Sequence, residues 1–227
     1  HDQSSAASDV YKRQDMDDEV GEAISAFKSG RPVMIYDSDY REMETDLLWH
    51  AAAATPEVIR RLRNDCGGLL FLAIGDEIGE MFGLPWLQDI HSHKTLVEEN
   101  PVLGHLVTND LQYDSRSAFT LSLNHRETYT GITDRDRSLT TRRFGELSGE
   151  LLEKGENGAG AKERLGKEFR TPGHIPVCRE SPGGLKTRQG HTELAVSIAR
   201  LAGLTACTIG AEMLEPEGDG ALSLIHI

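Results

Sequence analysis

The sequence predicts a single α+β domain in which a mixed β-sheet carries helices on its faces. Short apolar runs of strand length recur along the chain, and amphipathic runs of helical length lie between them. The two types alternate irregularly, which favours a mixed sheet over a regular parallel doubly wound fold. A chain of 227 residues is also long enough to bury a sizeable core.

The N-terminal half is predicted to alternate helices with short strands. The predicted elements are a helix over 16–29, a strand over 33–36, a charged loop over 37–45, an apolar segment of undecided type over 47–54, a helix over 55–64, a strand over 69–74 and a short helix over 76–82. Acidic residues in the first turn favour the first helix through its dipole. Thr55 followed by Pro56 is typical of a helix start, and Gly67-Gly68 indicates a turn.

The C-terminal half contains more glycine and is harder to divide. The predicted elements are a polar irregular stretch over 85–116, a strand over 119–124, a helix within 136–153 that starts near 140, a flexible loop over 155–166, an extended segment over 169–172, a strand over 176–179, a turn at 182–184, a helix over 192–201 and a strand over 207–213. Pro172-Gly173 indicates a tight turn that exposes His174, and Gly203 ends the amphipathic helix.

Composition excludes several classes of protein. With 37 acidic and 24 basic side chains the net charge is −13, which argues against nucleic-acid binding and against docking on anionic membranes. No apolar run approaches the roughly 20 residues of a membrane helix. Three widely spaced cysteines fit a reducing compartment, so we expect a cytoplasmic protein.

The two ends of the chain look unlike the rest. We expect residues 1–15 to be a non-native or disordered extension, 16–223 to be the folded domain, and 224–227 to be a non-native tail. The polar first residues lack any periodicity, and Met16 opens the first amphipathic segment.

An acidic cluster follows the first predicted strand. Glu42, Glu44 and Asp46 occupy alternate positions, and in extended backbone they would point the same way. Carboxylates that converge repel one another unless a cation lies between them, and Mg²⁺ prefers such oxygen ligands. The alternative is a solvated acidic loop.

A second polar cluster precedes the last predicted helix. Gly190 and His191 lie at the helix start, where unpaired backbone N–H groups favour an anion. Arg188 adds a planar fork that matches phosphate oxygens. Thr192 offers a hydroxyl either to a ligand or as the helix N-cap, and simple capping is the alternative interpretation.

Two further segments could carry chemistry. His174, in the predicted turn, titrates near neutrality and suits proton transfer, although it could equally be an ordinary turn histidine. Residues 125–137 are dense in hydroxyls, and Thr130-Gly131 would allow close backbone approach to a ligand or form a charged surface turn. His91 and His93 have no further zinc-like ligands nearby and indicate a loop.

In this order, the clusters resemble the 3,4-dihydroxy-2-butanone 4-phosphate synthase family of riboflavin biosynthesis, and most closely its archaeal branch. The segments that carry the resemblance are DSDYREMETD (37–46), HRETYTGITDRDRSLT (125–140), FRTPGH (169–174), GGLKTRQGHTELAVSIARLAGL (183–204) and EMLEPEGDGALS (212–223). Five ordered segments over residues 16–223 are far more specific than any one of them, and they favour the functional interpretation of each cluster.

The resemblance implies a three-layer α+β fold and a carbon–carbon lyase. This enzyme converts D-ribulose 5-phosphate to 3,4-dihydroxy-2-butanone 4-phosphate and formate through a metal-stabilised enediolate. The implied cofactor is Mg²⁺ or Mn²⁺, with two ions per site and no organic cofactor. The implied assembly is a homodimer with sites near the interface. The rival interpretations are a non-catalytic nucleotide- or RNA-binding protein of related sheet architecture, and an inactive truncated fragment.

The resemblance also assigns roles to residues. It implies Glu42 and His191 as metal ligands and Glu42, His174 and Glu212 as catalytic residues. The implied substrate-binding residues are Arg41, Glu42, Asp46, Thr130, Arg188, Gln189, Gly190, His191, Thr192 and Glu212. Met43 and Phe71 depart from the family pattern and could reshape the pocket. The family normally continues past Ser223, so we expect a truncated chain of reduced stability.

Overall fold

A computed structural model describes residues 19–107, 110–111 and 114–215. Within these residues, six strands form one mixed sheet in the order β1-β2-β6-β3-β5-β4. The strands are β1 (Val33–Tyr36), β2 (Thr45–His50), β3 (Phe71–Ile74), β4 (Phe119–His125), β5 (Phe169–Arg179) and β6 (Cys207–Glu212). The β3–β5 pair is parallel and the other neighbouring strands are antiparallel. The predicted mixed sheet is confirmed.

The helices that the structure describes range from one turn to more than five turns. They are α1 (described over 19–28), α2 (Pro56–Asp65), α3 (Asp76–Phe82), α4 (Leu87–His91), α5 (Lys94–Glu99), α6 (Val102–His105), α7 (Asp134–Glu153), α8 (Gly158–Glu168) and α9 (His191–Leu201). None of them is both long and apolar enough to cross a bilayer. The expected extension, residues 1–15, and the expected tail, residues 224–227, lie outside the described part of the chain.

The sheet separates two apolar cores, as a three-layer arrangement requires. Along β2, Leu47 and Trp49 pack into one core and Leu48 into the other, because successive strand side chains point to opposite faces. Helices α2, α3, α7 and α8 cover the first core, and α1 and α9 cover the second. Phe144 and Phe27 are fully buried representatives of the two cores.

Several predicted elements differ from the structure. The undecided segment 47–54 is strand β2 followed by a 3₁₀ turn at Ala51–Ala53. Helix α7 begins at Asp134, because the side chain of Thr133 accepts a hydrogen bond from the N–H of Asp136 at 3.1 Å and caps the helix. The predicted start near residue 140 is wrong by more than one turn.

Two glycine-containing segments were assigned wrongly. Residues 158–168 form helix α8, because Ala161 and Leu165 pack on the first core and this contact outweighs the low helix propensity of glycine. The predicted turn at Pro172-Gly173 is part of the continuous strand β5. A side chain at Gly173 would clash with the backbone of Leu123, so glycine is required there by the close approach of two strands.

The stretch 85–116 contains three short helices where irregular structure was expected. Helices α4, α5 and α6 bury none of their residues. Without a buried face they have no apolar periodicity, which explains why the sequence pattern failed to show them.

Candidate active site

A cavity of about 300 Å³ lies beside the start of α9, the start of β2 and the end of β6. Its charged lining comes from segments far apart in the sequence: Glu42, Glu44, Asp114, Arg188, His191 and Glu212. Its apolar lining includes Leu69, Phe71, Ala118, Phe119 and Cys178. A charged group and an apolar wall at one site are typical of a pocket that orients a small polar ligand.

The loop before β2 is folded around one buried carboxylate. Asp37 accepts hydrogen bonds from the backbone N–H groups of Glu42 (2.9 Å) and Glu44 (3.2 Å). Arg41 approaches the same carboxylate at 3.5 Å. Met43 has a left-handed φ of 56°, so the loop is not the extended chain that the alternating carboxylates predicted. Glu42 and Glu44 still reach the cavity, because the loop is folded around Asp37.

His191 lies at the centre of the acidic cluster. Its Nδ1 is 3.2 Å from Oε2 of Glu42, and its Nε2 is 3.0 Å from the carbonyl oxygen of Glu44 and 3.6 Å from Oδ1 of Asp46. Burial alone would lower the pKa of His191, but the hydrogen bond to Glu42 and the charge of Asp46 raise it to about 9. Both ring nitrogens therefore hold protons near neutral pH.

Asp46 and Glu212 lie directly opposite each other on β2 and β6. Burial raises the pKa of Asp46 to about 8 and also raises the pKa of Glu212. Among the described residues, both carboxylate oxygens of Asp46 and Oε2 of Glu212 are buried without a hydrogen bond. Two opposed carboxylates destabilise a sheet, and a proton or a cation between them removes that cost.

The donor set fits a hard divalent cation. One ligand atom each from Asp37, Glu42 and His191 lies within 4.8 Å of the others. Carboxylate oxygens suit Mg²⁺ and Mn²⁺, and an imidazole can complete such a site. Asp37 was not among the predicted site residues, although it opens the DSDYREMETD segment; an acidic residue directly after a strand is the signal that could have found it.

Two arginines from distant segments meet at one carboxylate. Oδ2 of Asp114 accepts from Nη2 of Arg41 at 2.6 Å and from Nε of Arg188 at 2.9 Å. Arg188 also contacts the fully buried carboxylate of Glu193 at 2.6 Å. Asp114 was not among the predicted site residues, because this residue lies in a stretch without recognisable periodicity and more than 70 residues from either arginine.

The start of α9 lies against these arginines. Gly190 is the N-cap and the helix begins at His191, so the alternative in which Thr192 caps the helix is wrong. A side chain at Gly190 would clash with the guanidinium group of Arg188 and approach that of Arg41 to 2.8 Å. Thr192 lines the cavity, whereas Gln189 is exposed outside the cavity lining.

Two predicted site residues lie outside this cavity. His174 is exposed on β5, where its Nδ1 lies 3.0 Å from Nδ2 of Asn124. Thr130 is exposed in the loop before α7, where its N–H and hydroxyl donate to Oδ2 of Asp136. Neither residue lines the cavity. Their assigned roles therefore remain predictions.

Comparison with known proteins decides the family. The profile of 3,4-dihydroxy-2-butanone 4-phosphate synthase matches residues 21–224. The chain belongs to the 3,4-dihydroxy-2-butanone 4-phosphate synthase family. It is 39% identical to the synthase of Methanothermobacter thermautotrophicus over 90% of this chain and 84% of that protein. It is 41% identical to the synthase of Methanosarcina acetivorans over 90% of this chain and 80% of that protein.

Solved synthase structures share the fold. A synthase in complex with two magnesium ions is 26% identical with a TM-score of 0.64, over 90% of this chain and 84% of that chain. The synthase of Candida albicans is 28% identical with a TM-score of 0.64, over 91% of this chain and 85% of that chain. The synthase family and its α+β fold, both expected from the sequence, are confirmed.

Proposed function

We propose that this member of the synthase family converts D-ribulose 5-phosphate to 3,4-dihydroxy-2-butanone 4-phosphate and formate. One observation carries the proposal: a single cavity combines the acidic cluster around His191 with Arg188 at the start of α9, and Arg41 shares with Arg188 the carboxylate of Asp114 in the cavity wall. The first group suits a divalent cation and the second suits a phosphate. The two products together contain all the atoms of the substrate, so the reaction needs no co-substrate and no net oxidant or reductant, and the proposal includes no organic cofactor.

Glu42 and His191 would hold the metal ion, and Asp37 would offer a third ligand atom beside them. Bound Mg²⁺ or Mn²⁺ would polarise substrate oxygens and stabilise the negative charge that develops when a proton leaves carbon. A second ion per site is part of this proposal, and it is supported by the related structure that contains two magnesium ions.

Arg41 and Arg188 would bind the substrate phosphate. Each offers a planar fork of N–H donors, and the first backbone N–H groups of α9 point to the same region. The hydroxyl of Thr192 lies at the cavity wall and would add a donor. Gln189 and Gly190 would shape this segment, with Gly190 allowing the guanidinium groups to approach the helix start.

Glu212 and Asp46 are suited to proton transfer. Burial raises the pKa of Asp46 to about 8 and raises the pKa of Glu212 above its usual range, so each carboxyl group binds a proton more readily than an ordinary carboxylate. Glu212 lines the cavity, whereas Asp46 lies fully buried behind it. We therefore assign proton transfer at carbon to Glu212 and electrostatic support to Asp46. Phe71 and Phe119 give the pocket an apolar wall that limits water.

His174 and Thr130 would act in a homodimer, from one protomer into the cavity of its partner. Their exposure, and their position outside the cavity of their own protomer, support this arrangement. It can be tested by mixing two inactive variants, His174→Asn and Glu212→Gln. Mixed dimers should recover activity, because one of their two sites would contain both native side chains. If the mixture exchanges subunits and stays inactive, His174 does not serve the partner's cavity.

Formate release from ribulose 5-phosphate, with Mg²⁺ and with excess chelator, tests the function directly. The native chain should release formate only with the metal, and Glu212→Gln should lose turnover while still binding the substrate. A matched control is Glu215→Gln, because Glu215 is a described acidic residue just after β6 that does not line the cavity. A folded chain that binds Mg²⁺ but releases no formate would contradict the proposal and favour an inactive fragment. The cytoplasmic location stays a prediction.

A further inference from the structure

Asp114 occupies a position between the two arginines that a ligand anion would also favour. Its Oδ2 lies 2.6 Å from Nη2 of Arg41 and 2.9 and 2.7 Å from Nε and Nη2 of Arg188. The three side chains are nearly buried, with exposed fractions of 10% for Asp114, 8% for Arg41 and 14% for Arg188. One carboxylate oxygen therefore contacts two guanidinium groups in a region with little water.

Two guanidinium groups and the start of a helix meet at this point. The guanidinium groups lie against Gly190, at the start of α9, where the helix dipole is also positive. Glu193 balances part of the charge of Arg188, and Glu42 lies 3.0 Å from Arg41. Asp37 also lies 3.5 Å from Arg41, and among the described side chains each of these three carboxylates contacts one arginine of the pair, whereas Asp114 contacts both.

We propose that Asp114 is an affinity-setting residue, whose carboxylate holds the two arginines in place and is displaced when a phosphate group binds. The inference rests on the proposed function of the cavity. A phosphate carries more negative charge than a carboxylate and has three terminal oxygens, so it can accept from both guanidinium groups and from the helix start together. Asp114 engages both arginines through one oxygen only.

This competition lowers the affinity for phosphate. The arginine pair is available to a ligand only in the fraction of molecules in which Asp114 has moved away, and the apparent dissociation constant rises in proportion. Asp114 would also release the ligand after reaction by returning to the arginines. It is thus a positioning residue that touches neither the carbons of the substrate nor the metal.

The variant Asp114→Asn tests this role. Asparagine keeps the shape and one acceptor oxygen but removes the negative charge. We expect inorganic phosphate to bind the full chain about 5- to 50-fold more tightly in calorimetric titrations with saturating Mg²⁺, a range typical of coupling between two binding events. The KM for ribulose 5-phosphate should fall, while kcat stays the same or falls because release is slower.

Asp89→Asn is the matched control. Asp89 is an acidic residue that pairs with Arg116 at 3.8 Å and is largely exposed. Its replacement makes the same change in net charge, so it should leave phosphate affinity unchanged. A similar gain in both variants would show a general charge effect and overturn the proposal.

Unchanged or weaker phosphate binding by folded Asp114→Asn would also overturn it, because Asp114 would then only orient the arginines. Circular dichroism checks folding, and Asp114→Ser replaces the asparagine variant if that variant unfolds. Asp114→Glu retains the charge and should show no gain in affinity. Phosphate binding needs no turnover, so a gain in affinity without formate release would refute the proposed function but not the competition at the arginines.

Discussion

Metal binding at Glu42 and His191 should release a proton near neutral pH. The surrounding carboxylates raise the pKa of His191 to about 9, and a metal ligand must be deprotonated. At pH 7 the imidazole lies about two pH units below that pKa, so only about 1% of molecules carry the neutral ring. Displacing the proton costs about 3 kcal/mol, which weakens metal affinity about 100-fold relative to strongly alkaline pH.

Calorimetry measures this proton directly. Titration of Mn²⁺ into the chain at pH 7, in two buffers of different ionisation enthalpy, gives the number of protons released per ion. We expect about one, because His191 holds a proton in the metal-free state that it must lose to bind the ion. His93→Asn is the control, since His93 is exposed outside the cluster. A value near zero for the native chain would refute the assignment of His191 as a metal ligand that is protonated in the metal-free state.

Three further predictions concern the same site and its supports. Asp37→Asn should weaken Mn²⁺ binding by about 10- to 100-fold in a calorimetric titration, because Asp37 lies beside Glu42 and His191. The control Asp39→Asn lies outside this group of three donors and should change Mn²⁺ affinity little. In chelator, the free energy of unfolding should fall as pH rises from 6.5 to 9, by up to about 3 kcal/mol from His191 alone, because the folded chain holds the proton that the unfolded chain loses first. A flat or rising urea-denaturation profile would contradict this. Gly131→Ala should lower the free energy of unfolding by about 1–3 kcal/mol, because the φ of Gly131 is 94° and a side chain there would clash with the amide group of Asn124. The control Gly166→Ala faces open space within α8 and should not destabilise the fold. Equal shifts of the urea midpoint in the two variants would disprove this explanation.

The strands and the better-marked helices were predictable because their signals are local. Thr55-Pro56 marks the start of α2, where Thr55 accepts from the N–H of Val58 at 3.3 Å. The apolar run that contains β3 and the amphipathic run of α9 also lie close to their predicted bounds. In these segments, propensity, capping and burial all favour the same structure.

The misplaced elements depend on contacts between distant residues. Helix α8 is stabilised by Ala161 against the first core, and the glycine at position 173 serves the close approach of β4 and β5. Neither contact is visible in a local window of sequence. The same limit applies to Asp114, whose importance comes only from the two arginines that the fold brings to it.

The site itself was predictable in composition but not in geometry. The family motifs selected Glu42, Asp46, His191 and Glu212, and the fold brings all four together. The alternation of carboxylates predicted an extended loop with these side chains on one side, and this explanation is wrong. The loop conformation is set by the hydrogen bonds to Asp37 and by the left-handed φ of Met43. Motif recognition therefore found residues whose arrangement depends on a buried side chain that was not among the predicted site residues.

The repulsion between two buried, opposed carboxylates links the stability of the fold to metal binding. The register of β2 with β6 places Asp46 opposite Glu212 in a buried position, where neither oxygen of Asp46 has a hydrogen bond among the described residues and Nε2 of His191 lies 3.6 Å from Oδ1. In the unfolded chain Glu42 and His191 are 149 positions apart, so a divalent ion has little affinity for that state. The ion would therefore bind the folded state selectively and offset the repulsion that the sheet creates. For this reason we expect Mg²⁺ to raise the melting temperature as well as to support catalysis.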